Sequence, residues 1–536
     1  MKSKKIILFT LALIGISTIA FLRSKYLHTV VVDEAFIFFR YAENVVKGNG
    51  FVWNIGELPV EGYSSFLYLV IFIFGKVLSL DPIILSLVVG VVSSTLTLYL
   101  TFLIYQQLNP NLVKENIFTV FIIGVTPSFL YWSVAGMETS FYSMFFLLTI
   151  YLFLTREIDF KSLLLNGIMF GLLCLIRFEA TLIFLCSLLY IMKKKNSLIT
   201  YRINKEQIIF TLGFSLIFLT YFIWRWIYFG QFLPNTFYAK TGGGLAQVIG
   251  GLDYTIISLR KFFGFGWFII FLILLAFRFK MLSGKSGFLF GLGTVSVIAT
   301  ILIGGDHFYG GRFILPVLPL LLVFIPPSLN RLLNLKTLLE SNREIILFLF
   351  YFVMAGILVF KLPVKEAMFG AKNLVEGKKE TVTVYNDWID DYIFEWQNGF
   401  ILMGKELKKI STPDDYIAVT PIGAIGYYSK IGVIDMVGIV DPFISKEDFK
   451  DEFIQNWIPG HNKGNGAYIL SRKPKYIQLV DFLTREPHET PFESSFRLKS
   501  IKEIWFSKDF QAMYEFKPVE VTDGWFYNLY VRKDSN

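Results

Sequence analysis

The chain has little of what a soluble protein is made from. Charged residues are 17% of its 536 positions, against 54% hydrophobic and 18% aromatic. That balance excludes an ordinary soluble domain and points to a polytopic membrane protein. Cysteine is scarce, and the two present, Cys174 and Cys186, both fall in apolar runs. A disulfide framework and a cysteine-held metal are therefore not expected. No small-x-small cleavage site precedes Asp33, so Met1-Lys2-Ser3-Lys4-Lys5 and the apolar run to Leu22 read as an uncleaved signal anchor. Internal repeats and low-complexity tracts are absent. The formal charge of +9 does not call for nucleic acid, because much of the Lys and Arg excess lies in short loops, where it sets topology.

Runs of about 17–25 apolar residues are needed to cross a bilayer as helices. Candidates lie near 6–22, 84–105, 117–133, 140–154, 162–177, 179–192, 208–229, 262–279, 287–304, 313–329 and 344–361. A further apolar run, 64–80, decides the parity. If it crossed, the lysines at 2–5 and at 193–195 would fall on opposite sides. If it stays in the interface, all the basic clusters, including Arg278-Lys280-Lys285 and Arg331-Lys336-Arg343, face the cytoplasm. The expectation is about eleven spans over 1–361, with interfacial helices in 23–83. An extracytoplasmic α/β domain over 362–536 follows. The outward loops are then 23–83, 134–139, the turn at Arg177–Glu179, 230–261 and 305–312, and these hold most of the ionisable and glycine-rich motifs. In the tail, Ile417–Val419, Val433–Val437, Tyr476–Val480 and Phe526–Val531 read as strands and Glu395–Ile410 as a helix. Gly423-Ala424-Ile425-Gly426-Tyr427-Tyr428 lacks the Lys-Ser/Thr of a phosphate loop and reads as strand–turn–helix packing.

Asp33 and Glu34 stand about ten residues beyond the first apolar run. Carboxylates beside lipid cost free energy and call for a role. From Asp33 to Gly48 the apolar spacing is helical, with Ala35, Phe38, Phe39, Ala42 and Val46 on one face and Asp33, Arg40, Asn44 and Lys47 on the other. Such a helix is expected to lie in the membrane interface, apolar side down. Asp33 and Glu34 fall at its start, where the helix dipole favours anions. The competing reading is that Asp33 only caps the helix.

Residues 33–66, DEAFIFFRYAENVVKGNGFVWNIGELPVEGYSSF, carry a resemblance. So do YWSVAGMETSFYS (131–143), IRFEATLIFL (176–185), YFGQFLPNTFYAK (228–240), GGDHFYGGRFILPVLPLL (304–321) and AVTPIGAIGYYSKIGVIDMVGIVDP (418–442). In this order they resemble a bacterial family of polyprenyl-phosphate-dependent glycosyltransferases with the GT-C fold, which includes the mycobacterial terminal arabinofuranosyltransferase. Two departures stand out. Asp33-Glu34 replaces the family's usual Asp-Asp, and Phe178 stands where a proline is common.

The resemblance implies transfer of a sugar from a polyprenyl-phosphate donor to an envelope glycan, lipid or protein at the outer face of a bacterial inner membrane. Inverting displacement needs a base for the acceptor hydroxyl and stabilisation of the departing phosphate. Asp33 is the expected base, with Glu34 as second choice or as its partner. Candidates around substrate and phosphate are Arg40, Glu61, Tyr63, Glu138, Arg177, Glu179, Asn235, Tyr238, Lys240, Asp306, His307 and Arg312. Arg312 leads on the phosphate side because Arg forks onto phosphate and its glycine-rich loop lets amides approach an anion. Some of these have a plainer alternative. Arg312 snorkels at a span end, Glu138 or Thr139 caps a helix, Arg177 pairs with Glu179, Arg40 pairs with Asp33, and His307 is an interface histidine. A divalent metal held by Asp33, Glu138, Asp306 and His307 is left open, since no spacing fixes it. Gly460-His461-Asn462-Lys463 is a loose candidate for touching substrate from above. A flippase for a lipid-linked saccharide is the principal alternative function, and a cell-wall scaffold the third.

Overall fold

The computed structural model describes residues 31–194, 204–260, 284–330, 398–449 and 457–533, apart from positions 125, 309, 328, 329, 481 and 523. The expected spans near 6–22, 262–279 and 344–361 lie outside the described residues, as do the signal anchor, the boundary near 362 and most of the basic clusters.

Among the described residues three helices are long and apolar enough to cross a membrane: Pro82–Leu108, Lys205–Phe229 and Gly284–Leu302. Local chemistry sets their ends. Asp81 accepts the amide of Ile84 at 3.0 Å, with Pro82 at the first helical position. Asn204 and Gln207 form a capping box, and Gly230 closes that helix at φ 66°. Shorter apolar helices are Phe66–Val77, Thr139–Thr155, Phe160–Ile176, Ala180–Met192 and Leu315–Pro327. The expected span 117–133 is instead two helices, Val113–Gly124 and Ser128–Val134, bent by 62°. Pro127 removes a backbone donor there and drives Thr126 to extended backbone.

Small residues let the helices approach. A β-carbon at Gly167 would sit 2.1 Å from the Phe210 carbonyl, and one at Gly213 2.3 Å from that of Leu164, so Phe160–Ile176 and Lys205–Phe229 pack backbone to backbone. Ser94 bonds Ser140 at 2.9 Å between two further helices.

The tail forms a five-stranded sheet in the order β2-β1-β3-β7-β4, with β1 Tyr416–Val419, β2 Gly432–Asp435, β3 Tyr476–Gln478, β4 Tyr514–Phe516 and β7 Leu529–Arg532; β5 Val519–Thr522 and β6 Trp525–Tyr527 form a separate hairpin. Strands β2, β1 and β3 are parallel, and β7 pairs antiparallel with β3 and β4. The strand expected over 526–531 is broken at Asn528. Asn528 bonds Thr484 Oγ1 and accepts from the His488 amide, while Phe526 pairs with Thr484. One side of the tail has its own core, including Ala418, Ile434, Ile477 and Ile501. The other side, including Ile417, Ile425 and Val433, joins the core of the membrane helices.

The helix Ala35–Val46 lies at that junction. Its apolar side packs on Phe66–Val77, with Phe39 and Phe72 4.9 Å apart between ring centroids. Its polar side does not face water as expected for an interfacial helix: Arg40, Glu43 and Asn44 are all buried. The tail helix Gly423–Ser429 and the 52–54 segment cover them.

Candidate active site

Asp33 and Glu34 point to different partners. Asp33 Oδ2 accepts the amide of Gly423 at 2.8 Å and Oδ1 that of Ala424 at 2.7 Å. The glycine is required, since a β-carbon at 423 would meet the Asp33 carbonyl oxygen at 1.9 Å. The strand–turn–helix segment of the tail thus packs as expected, and also grips the acidic pair. Burial, and after it the adjacent Glu34, push the Asp33 carboxyl up to about 7 against the pull of the two amides. Glu34 Oε1 lies 2.7 Å from His307 Nε2. Burial would raise the Glu34 carboxyl, but the His307 bond and the charges of His307 and Arg312 hold it below its ordinary value. Its second oxygen has no hydrogen-bond partner among the described residues.

The 304–312 loop carries the next groups. Gly304 and Gly305 both take positive φ, 90° and 73°, turning the chain so that Asp306, His307 and Arg312 face one another. His307 Nδ1 is 3.4 Å from Asp306 Oδ1, and Arg312 Nε is 2.5 Å from Asp306 Oδ2. Against its burial, the bonds to Asp306 and Glu34 raise the imidazole above its usual value. Arg312 and His307 hold Asp306 far below the usual carboxylate range despite burial. Arg312 is 4% exposed and packed among Trp132, Phe308 and Phe313, which excludes the snorkelling alternative. Its Nη1 has no partner among the described residues. Lys240, at the end of the short helix Asn235–Lys240, makes no hydrogen bond or ion pair within the described residues. Burial lowers its pKa, and Asp306, Arg312, Glu34 and Glu138 are the charges nearest in effect.

Glu138 joins from the start of Thr139–Thr155. Its side chain makes no cap. Arg177 Nη2 donates to its Oε1 at 2.9 Å, so the pairing expected between Arg177 and Glu179 is replaced by Arg177 with Glu138. Glu138 Oε2 is unpartnered among the described residues. Beyond Arg177 an open cleft is lined by Glu179, Leu182, Ile183, Ala299, Ile303 and Phe313.

Other candidates hold the frame. Arg40 donates to Trp53 O, Gly426 O, Ile431 O and Asn54 Oδ1, and Asp33 is not among its partners. Glu61 is buried against Arg225 and accepts from Tyr221 at 3.0 Å. Asn235 donates to Gly438 O and Ile439 O and accepts from Ser445, all at 2.7–2.8 Å. Tyr238 accepts the Leu233 amide. Tyr63 packs edge-on to Tyr41, its hydroxyl unpartnered among the described residues. Asp33, Glu138, Asp306 and His307 do not gather as metal ligands: among the described residues no three His, Cys, Asp or Glu are grouped to hold an ion.

No spacing in the sequence points to the grip of Gly423 and Ala424 on Asp33. His461, read there only as a loose contact, lies with its ring 4.7 Å from that of His307.

The architecture has counterparts among solved structures. ArnT from Cupriavidus metallidurans bound to undecaprenyl phosphate matches with a TM-score of 0.50 at 10% identity, over 81% of this chain and 86% of that one. This chain has the GT-C fold. The apo state of the same ArnT gives 0.49 at 12% identity over the same shares. Residues 391–530, most of the tail, match a family described as a domain of unknown function (DUF8728). No curated protein matches the chain in sequence.

Proposed function

We propose that the chain is an integral-membrane glycosyltransferase of a bacterial inner membrane. It moves a sugar from a polyprenyl-phosphate donor to an envelope acceptor on the outer face, where the C-terminal domain also lies. One observation carries the reading: two adjacent carboxyls whose surroundings drive their titration apart, beside the buried Arg312, with a donor to spare, and the half-buried Lys240.

Asp33 is the general base. Each of its oxygens keeps a lone pair beyond its amide bond, and a pKa near 7 suits proton abstraction at neutral pH. Asp33 takes the acceptor's hydroxyl proton as that oxygen bonds to the anomeric carbon. The bond from that carbon to the phosphate oxygen breaks on the opposite face, and the electron pair leaves with the polyprenyl phosphate. Arg312 Nη1 and Lys240 receive the growing phosphate charge. Glu34, kept anionic by His307, raises the base and orients the acceptor. Arg177, held by Glu138, and Glu179 border the mostly apolar cleft, which suits a prenyl chain. Arg40, Glu61, Tyr63, Asn235 and Tyr238 hold the loops in register.

The test supplies purified protein with labelled undecaprenyl-phosphate sugars and an envelope extract. Label entering the acceptor, lost in Asp33→Asn and strongly reduced in Glu34→Gln, supports the reading. Wild-type transfer in both variants would sink the site assignment. Movement of the labelled lipid across vesicles without transfer would favour a flippase.

A further inference from the structure

Trp457 sits in a socket of three glycines. A β-carbon at Gly243 would lie 2.1 Å from its ring, one at Gly250 2.4 Å and one at Gly304 2.8 Å. Phe449 packs against it at 5.5 Å. The indole is thereby locked onto the segments that carry Lys240 and Asp306. Three residues on, Gly460 rests on Lys240: its β-carbon would be 3.4 Å from both Cγ and Cε of that lysine. His461 then stacks edge-on to His307, the partner of Glu34. Asn462 accepts the Ile458 amide at 2.8 Å, and Lys463 donates to Ser445 O at 2.7 Å. The loop is pinned at both ends.

The chemistry of His461 is fixed by the loop. Its Nδ1 is 3.1 Å from the carbonyl of Pro459. A carbonyl only accepts, so Nδ1 carries the proton and Nε2 keeps its lone pair. Burial, and after it the charge of His307, lower its pKa to about 4, so the ring stays neutral.

We propose that residues 457–463 form a substrate-reading loop, in which His461 Nε2 accepts a hydrogen bond from a hydroxyl of the donor's sugar ring. This rests on the glycosyltransferase reading and gives the tail domain a part in it. The donor is favoured over the acceptor by position. Gly460 covers the lysine assigned to the phosphate, and His461 lies between that lysine and the carboxylate pair. The sugar bonded to the phosphate occupies that interval.

The full chain in detergent tests this with His461→Ala, His461→Gln and Trp457→Ala. Two quantities are read: kcat and KM for the polyprenyl-phosphate sugar, and equilibrium binding of sugar-free undecaprenyl phosphate. His461→Ala is expected to lower kcat/KM by about tenfold or more, the loss of one good hydrogen bond, with undecaprenyl phosphate binding unchanged. Glutamine at 461, whose amide oxygen reaches the place of Nε2, recovers most of the loss. Trp457→Ala follows His461→Ala, because it frees the loop. Wild-type kcat/KM in His461→Ala overturns the proposal. So does an equal loss in His461→Gln, or a matching loss of undecaprenyl phosphate binding. No transfer by wild type with any donor overturns the glycosyltransferase reading itself, and this inference with it.

Discussion

At Asp33 and Glu34 a single peptide unit separates a carboxyl raised to about 7 from one held below its ordinary value. If Asp33 works as the base it must be ionised, so kcat/KM is expected to climb with pH through about 7 and then level off. Glu34→Gln removes the like charge that helps raise Asp33, so the rise in its remaining activity should move to lower pH. A limb that stays put would detach the two groups. Stability runs the other way. The folded state holds the Asp33 proton more tightly than the unfolded chain, so this group's contribution falls as pH rises from its ordinary value of 3.8 towards about 7. Lys240 offers a second prediction. It is a half-buried cation without a partner among the described residues. Lys240→Met should hold or raise the melting temperature while weakening undecaprenyl phosphate binding about tenfold or more. A variant that melts earlier and binds normally would make Lys240 structural.

Two elements approach as closely as backbone allows at Gly167 and Gly213. Gly213→Leu must push Phe160–Ile176 away from Lys205–Phe229, and should abolish stable expression or cost more than about 2 kcal/mol, as overpacking does; a thermal melt in detergent reads it. The helix Ala35–Val46 shows how far sequence could be read. Its extent and its apolar face were legible from spacing. The burial of its polar face was not, because one of its two covering segments lies nearly four hundred residues away, and periodicity reports neither partner. Arg177 failed for a related reason: Glu179 is its charged neighbour in sequence, but Glu138, on another helix, is its partner in space. Strands β1, β2 and β3 were legible as apolar β-branched runs. The break at Asn528 was not, since it depends on Thr484 and His488. Of the candidate site, Asp306, His307 and Arg312 stand together as one glycine-bounded motif suggested. Arg40 is the arginine whose donors go to the frame, and Arg40→Met should leave buried carbonyls unpaired. A cost of about 1–3 kcal/mol for each such group predicts early proteolysis between 398 and 533.

For the molecule as a whole, the charge pattern of the loops predicts a side for the tail. A reporter fused after Ser535 should read as extracytoplasmic, and a cytoplasmic signal would overturn the parity argument. The tail is no detachable module, since its sheet shares a core with the membrane helices. A chain ending at 361 should therefore bare an apolar face and aggregate.

The hold of Gly423 and Ala424 on Asp33 spans 390 and 391 residues of sequence. Ribosomes deliver about 5–20 residues each second, so the acidic pair waits roughly 20–80 seconds for the amides that complete its surroundings. On the proposed mechanism, the growing chain lacks a finished base throughout that interval. If Asp33 is the base, synthesis itself keeps the reaction silent at least until residue 424 has emerged.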